Sequence, residues 1–112
     1  MRVLFVCNQN MHRSKTAEEI FAEEFETKSA GLYNDTPIIA KDMEWADLVV
    51  VMEEEQRLEL SKRFPLLYMQ KQIVSLNLPD IYSYNHPLLV DLLKKKMSAI
   101  LTTLQIECYD FP

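Results

Sequence analysis

Glycine and cysteine are both scarce in this chain: 112 residues contain one glycine, Gly31, and two cysteines, Cys7 and Cys108. The cysteines lie at opposite ends, neither in a Cys-x-x-Cys pair, and His12 and His86 are the only imidazoles. A structural zinc site needs four well-placed ligands, so no metal and no cofactor are expected. Cysteines of a cytosolic protein are usually free thiols, and one near a strand end is a candidate nucleophile. Basic residues are also in deficit. Seventeen acids against twelve bases leave a net charge of -5. That argues against a nucleic-acid partner, which would call for a basic stripe, but leaves room for a small anion held by a local cluster. No apolar run approaches the roughly 20 residues of a membrane span. Val3 to Val6 after Met1-Arg2 is far too short for a signal-peptide core, so a cytoplasmic location without membrane attachment is expected. Repeats, low-complexity tracts and Pro/Gly/Ser linkers are missing as well, and residues 1–112 read as a single domain.

What the chain does have is an ordinary globular balance, 48% hydrophobic and 26% charged, which speaks against disorder. Its apolar residues fall into two periods. Val3-Leu4-Phe5-Val6 and Leu48-Val49-Val50-Val51-Met52 are unbroken runs, the pattern of strands covered on both faces. Ser29-Ala30-Gly31 closes a short second strand, and Ile73 to Leu76 supplies a fourth. Helical spacing starts at Ser14, with Ala17, Ile20, Phe21 and Phe25 opposite Glu18, Glu19, Glu23 and Glu24. A further helix is expected from about Glu53 to Arg63, its acids first and its bases last, as the helix dipole favours. The final helix begins at Pro87 and carries Leu89, Leu92, Leu93, Met97, Ile100, Leu101 and Leu104 on one side. With a short helix before the third strand, the order implies an α/β fold: a doubly wound, four-stranded parallel sheet flanked by helices. Ligands of such sheets bind beyond the carboxyl ends of the strands, and the first such end is Cys7.

The stretch Cys7-Asn8-Gln9-Asn10-Met11-His12-Arg13-Ser14 joins the first strand to the first helix. A loop of this length wraps an oxyanion by turning successive backbone N–H groups inward above a helix N-terminus. The candidate phosphate-binding set is therefore Asn8, Gln9, Asn10, Met11, His12, Arg13 and Ser14. Arg13 offers a permanently charged, two-pronged clamp. Cys7 at the bottom of the loop would feel every donor in it, favouring the thiolate that attacks phosphorus, and Ser14 could hydrogen-bond the sulfur.

This segment resembles the signature of the low-molecular-weight protein tyrosine phosphatases, Cys-x5-Arg-Ser after the first strand. Lys28-Ser29-Ala30-Gly31 is similar to that family's Ser-Ala-Gly strand end, and Trp45-Ala46-Asp47-Leu48-Val49-Val50-Val51-Met52 to its Ala-Asp-apolar-Met strand. Leu78-Pro79-Asp80-Ile81-Tyr82 resembles its late Asp-Pro-Tyr loop, and all four segments fall in the family's order. The resemblance implies a cytosolic phosphomonoester hydrolase without metal, acting on phosphotyrosine of a phosphorylated protein or on a related small aryl phosphate. Cys7 would form a phosphocysteine intermediate, Arg13 clamp the phosphate, Asn10 shape the loop and Asp80 serve as general acid. Tyr82, Tyr84 and Tyr33 would wall the slot for a phenyl ring.

The chain also departs from that pattern. Gln9 stands where the family has glycine, and a positive φ there would carry a steric cost that Asn8 or Asn10 would bear better. His12 replaces a second loop cysteine, no proline follows Asp80, and the connection from Gly31 to Ala46 is short. Three other functions therefore stay open. A phosphocysteine carrier, like the B components of sugar phosphotransferase transporters, shares the strand-end cysteine but typically lacks the arginine. A weakly catalytic phosphate- or phosphopeptide-binding module would keep the loop without turnover. An arsenate reductase would need resolving thiols, and Cys108 is the sole candidate. The plainer assignments are a cap for His86, a solvated face for Lys94, Lys95 and Lys96, and a structural or tail thiol for Cys108.

Overall fold

The computed structural model describes residues 1–104; Cys108, and with it the end of the expected domain, lies outside the described residues. Strand β1 (Arg2–Cys7) is buried from Val3 onward, as an unbroken run of β-formers requires when both faces are covered. It is followed by α1 (Arg13–Ile20), β2 (Glu26–Gly31), α2 (Ala40–Trp45) and β3 (Leu48–Val51). Then come α3 (Glu54–Arg63), α4 (Pro65–Gln70), β4 (Gln72–Ser75) and α5 (Pro87–Thr103). The strands form one parallel sheet in the order β2-β1-β3-β4. This is the doubly wound sheet that the pattern of runs implies.

Alternation along the two central strands sends side chains into two cores. Val3, Phe5, Leu48 and Val50 pack with Ala17 and Phe21 and with Leu89, Leu93, Met97 and Leu101 of α5. Leu4, Val6, Val49 and Val51 face the other way, onto Met43 of α2, Leu60 of α3 and partly buried residues of α4. The four α5 residues recur at every fourth position and are fully buried. Each such side chain is worth about 1.5–3 kcal/mol of transfer from water. His86 caps that helix, its Nδ1 accepting from Leu88 N at 3.1 Å, with Pro87 in the first turn where a missing N–H costs nothing.

Two expectations need correction. Helix α1 stops at Ile20, so Phe25 is not on it. The chain instead makes a turn in which Phe25 N–H still bonds Phe21 O at 3.1 Å, and both rings remain buried. Phe21 stacks on Phe5 with centroids 5.7 Å apart. Helix α4 was not foreseen, because its apolar residues are consecutive instead of periodic and Leu66 and Met69 stay exposed. Among the described residues, no helix is long and apolar enough to cross a membrane.

Candidate active site

Cys7 ends β1, the strand at which the sheet's connections diverge. Its neighbours β2 and β3 continue the ladder past it: Leu32 N bonds Cys7 O at 3.0 Å and Met52 N bonds Val6 O at 3.2 Å. A crevice at this point is where doubly wound sheets take ligands. The glycine makes it possible. A Cβ on Gly31 would stand 2.6 Å from the Asn34 side chain and 3.1 Å from the backbone nitrogen of Asn10, so the loop passes close over β2 only because that side chain is missing.

The loop then folds back over the sulfur. Asn10 takes the left-handed conformation at φ 55°, and its N–H donates to Cys7 Sγ at 3.2 Å. Gln9, where a strained backbone was the concern, has no positive φ. The bend sits one residue further on, at an asparagine, which tolerates it. Ser14 Oγ lies 2.9 Å from Cys7 Sγ and 2.8 Å from Asn10 Oδ1. One hydroxyl proton serves both. With a thiol, S–H donates to Ser14 and Ser14 donates to Asn10; with a thiolate, the hydroxyl turns to the sulfur. Asn8 faces away from the sulfur, its O accepting from Tyr33 N at 2.8 Å and its Oδ1 from Gln56 Nε2 at 3.2 Å.

Arg13, the first residue of α1, is the largest fully buried side chain among the described residues, at 2% exposure. Its Nη1 donates to Glu53 Oε1 and, at 2.7 Å, to Leu78 O. Its Nε faces Asp80 Oδ1 at 3.7 Å, and Nη2 has no protein partner among the described residues. Cys7, Gln9, Met11, His12, Arg13 and Asp80 together line a cleft of ≈ 140 Å³. The sulfur and the guanidinium thus share one small opening, with a carboxylate at its rim.

The segment bearing Asp80 is attached to α1 by side chains. Tyr84 N donates to His12 Nδ1 at 3.0 Å, and Asn85 N to Thr16 Oγ1 at 2.9 Å. An accepting Nδ1 puts the proton of a neutral His12 on Nε2. The Tyr84 hydroxyl bonds Glu19, and this hydrogen bond raises the phenol above its ordinary value. The three tyrosines are not brought together around the opening. Tyr82 packs against the α5 core and His86, Tyr84 reaches Glu19, and Tyr33 lies under the Arg63 guanidinium at 5.1 Å. The residues that line the cleft beside Cys7, Arg13 and Asp80 are Gln9, Met11 and His12.

The sequence marks Glu53 only as an acid at a helix start and does not single out Gln56. Gln56 is 2% exposed, its Oε1 accepting from Met52 N at 2.8 Å and Glu53 N at 3.0 Å. The Glu-x-x-Gln spacing at a helix start hints at this, since a glutamine three residues in can reach back to the cap nitrogen. Nothing in the linear pattern shows that the same turn touches the loop.

A central parallel sheet, with a cysteine at the switch-point strand end and a buried arginine beside it, defines a doubly wound α/β class with a small polar cleft beyond its strand ends. No family model matches the chain, and no curated protein matches it. Solved structures do. A low-molecular-weight protein tyrosine phosphatase from T. tengcongensis superposes with a TM-score of 0.71 at 22% identity, covering 94% of this chain and 98% of that one. Vibrio vulnificus Wzb in complex with benzylphosphonate gives 0.74 at 17% identity, covering 91% and 97%. The YwlE arginine phosphatase from Geobacillus stearothermophilus gives 0.69 at 19% identity, covering 97% and 99%. The fold is that of the low-molecular-weight protein tyrosine phosphatases, over nearly the whole length of both partners.

Proposed function

We propose that this protein hydrolyses phosphomonoesters, phosphotyrosine or a related aryl phosphate, without a metal and through a phosphocysteine intermediate. One observation carries the reading: Cys7 Sγ, with Ser14 Oγ at 2.9 Å and Asn10 N–H at 3.2 Å, opens into the same cleft as Arg13 and Asp80. Both contacts suit a sulfur that carries negative charge, as nucleophile and as leaving group. In the first step Cys7 attacks phosphorus in line and the P–O bond to the leaving group breaks. Arg13 Nη2 and the amides of the loop, residues 8–14, hold the equatorial oxygens. Asp80 gives its proton to the departing oxygen. In the second step Asp80 takes a proton from water, which attacks the phosphocysteine and releases phosphate and the thiolate. Met11, more than half exposed at the opening, offers a thioether to a substrate ring. Tyr82 and Tyr84 would reach a substrate only from the outer rim.

A second reading is phosphorylated arginine, the class named for some structural neighbours. It is favoured by the lack of an aromatic wall among the cleft's lining residues and by Asp80 at the rim, where a guanidinium would find a partner. Both readings are tested by release of phosphate from p-nitrophenyl phosphate and from phosphoarginine, with and without a chelator. Turnover insensitive to chelation is expected, lost in Cys7→Ser and Arg13→Ala. Hydrolysis that survives either substitution would sink the mechanism, and the preferred substrate decides between the readings.

A further inference from the structure

The turn between β3 and α3, with the first turn of α3, touches the loop at both ends. Glu53, the residue just before α3, takes Nη1 of Arg13, while Gln56 in the helix's first turn holds Asn8, the residue directly after Cys7. The turn is itself well fixed. Gln56 Oε1 gathers the N–H groups of Met52 and Glu53, and Met52 N is bonded to Val6 O at 3.2 Å in the strand that carries the nucleophile. Glu53 is one-third exposed, and a hollow of ≈ 280 Å³ lined by Glu53, Glu54, Glu55, Asn77 and Pro79 borders it. That partial exposure lowers the desolvation cost of pairing it with a buried guanidinium. Glu53 and Leu78 O both engage Nη1 and Asp80 faces Nε at 3.7 Å, which leaves Nη2 without a protein partner among the described residues in a side chain that lines the cleft.

We propose that Glu53 is the positioning residue for Arg13: it fixes the orientation in which the guanidinium receives an oxyanion, and Gln56 holds Glu53 in place. The proposal rests on the oxyanion reading of the loop. It assigns Glu53 a geometric role, so an acceptor at that reach matters and a charge alone does not.

The probe is inorganic phosphate, read by its protection of Cys7 against alkylation with iodoacetamide, alongside kcat/KM for p-nitrophenyl phosphate. Glu53→Gln keeps an acceptor for Nη1 and should protect and turn over close to wild type. Glu53→Ala removes it, and Glu53→Asp keeps the charge but withdraws the oxygen. Each should raise the phosphate needed for half-protection, about ten- to hundredfold for alanine, with a parallel fall in kcat/KM. Glu54→Ala, whose side chain pairs with Arg57 instead, should leave both readouts unchanged. Thermal midpoints near wild type in the Asp and Gln variants separate positioning from general destabilisation. Wild-type protection in Glu53→Ala, or tighter phosphate binding in it, overturns the proposal, as does a loss in Glu53→Gln equal to that in alanine. If phosphate protects in the predicted order but nothing is hydrolysed, the positioning role stands and the hydrolase reading falls. If phosphate fails to protect wild type, both fall.

Discussion

The two sides of the cleft are built differently. On the nucleophile side, the loop of residues 8–12 is held by bonds inside the fold: backbone ladders past Cys7, a buried serine, a buried glutamine and the single glycine beneath it. On the Asp80 side, residues 79–85 are almost all exposed and meet α1 and its cap through single contacts to Arg13, His12, Thr16 and Glu19. A loop that stabilises a developing trigonal-bipyramidal phosphoryl group gains from having its dipoles set beforehand. A general acid needs only to reach the leaving oxygen, and elements that move are drawn from weakly tied segments. Under the proposed function the contrast separates binding from proton transfer, and it can be broken in four places.

Asp80→Asn should cause the largest change, lowering turnover by roughly 10²–10⁴, the usual share of a general acid, with phosphate protection of Cys7 nearly intact. Steady-state kinetics beside alkylation show it; a matching loss in protection would mean the two sides are not separate. Leu93→Ala, in the fully buried row of α5, should cost about 2–5 kcal/mol in denaturant unfolding, because the cavity opens under the central strands. Thr16→Val removes the acceptor of Asn85 N. It should lower kcat by roughly two- to tenfold, one hydrogen bond's worth, without weakening phosphate. Equal losses in kcat and phosphate affinity would place Thr16 on the nucleophile side. The smallest effect belongs to Tyr84. Its bond to Glu19 holds the phenol above its usual value of 10.0, so the contact is complete at neutral pH and is lost as pH rises through the raised value. Tyr84→Phe should delete a component that titrates above the usual phenol value in an ultraviolet titration and leave turnover at neutral pH unchanged.

Much of this was readable along the chain. Unbroken apolar runs such as Val3 to Val6 have one stable place, the middle of a covered parallel sheet, and Leu89, Leu93, Met97 and Leu101 have one face to bury. Cys7, Arg13 and Ser14 share a short loop, so their spacing alone brings them near one another. Partners far apart in the chain were not readable. Glu53 lies 40 residues from Arg13, and Gln56 lies 48 from Asn8. The partners of the tyrosines were unreadable for the same reason: Tyr84 finds Glu19, 65 residues away, and Tyr33 finds Arg63.

Local order therefore decided the sheet, its two faces and the loop around the sulfur, because hydrophobic period and loop length act over a few neighbouring residues. Packing of distant elements decided how that loop is gripped. A buried guanidinium or carboxamide must find a partner wherever the folded chain supplies one, and here it is the β3–α3 turn that does so.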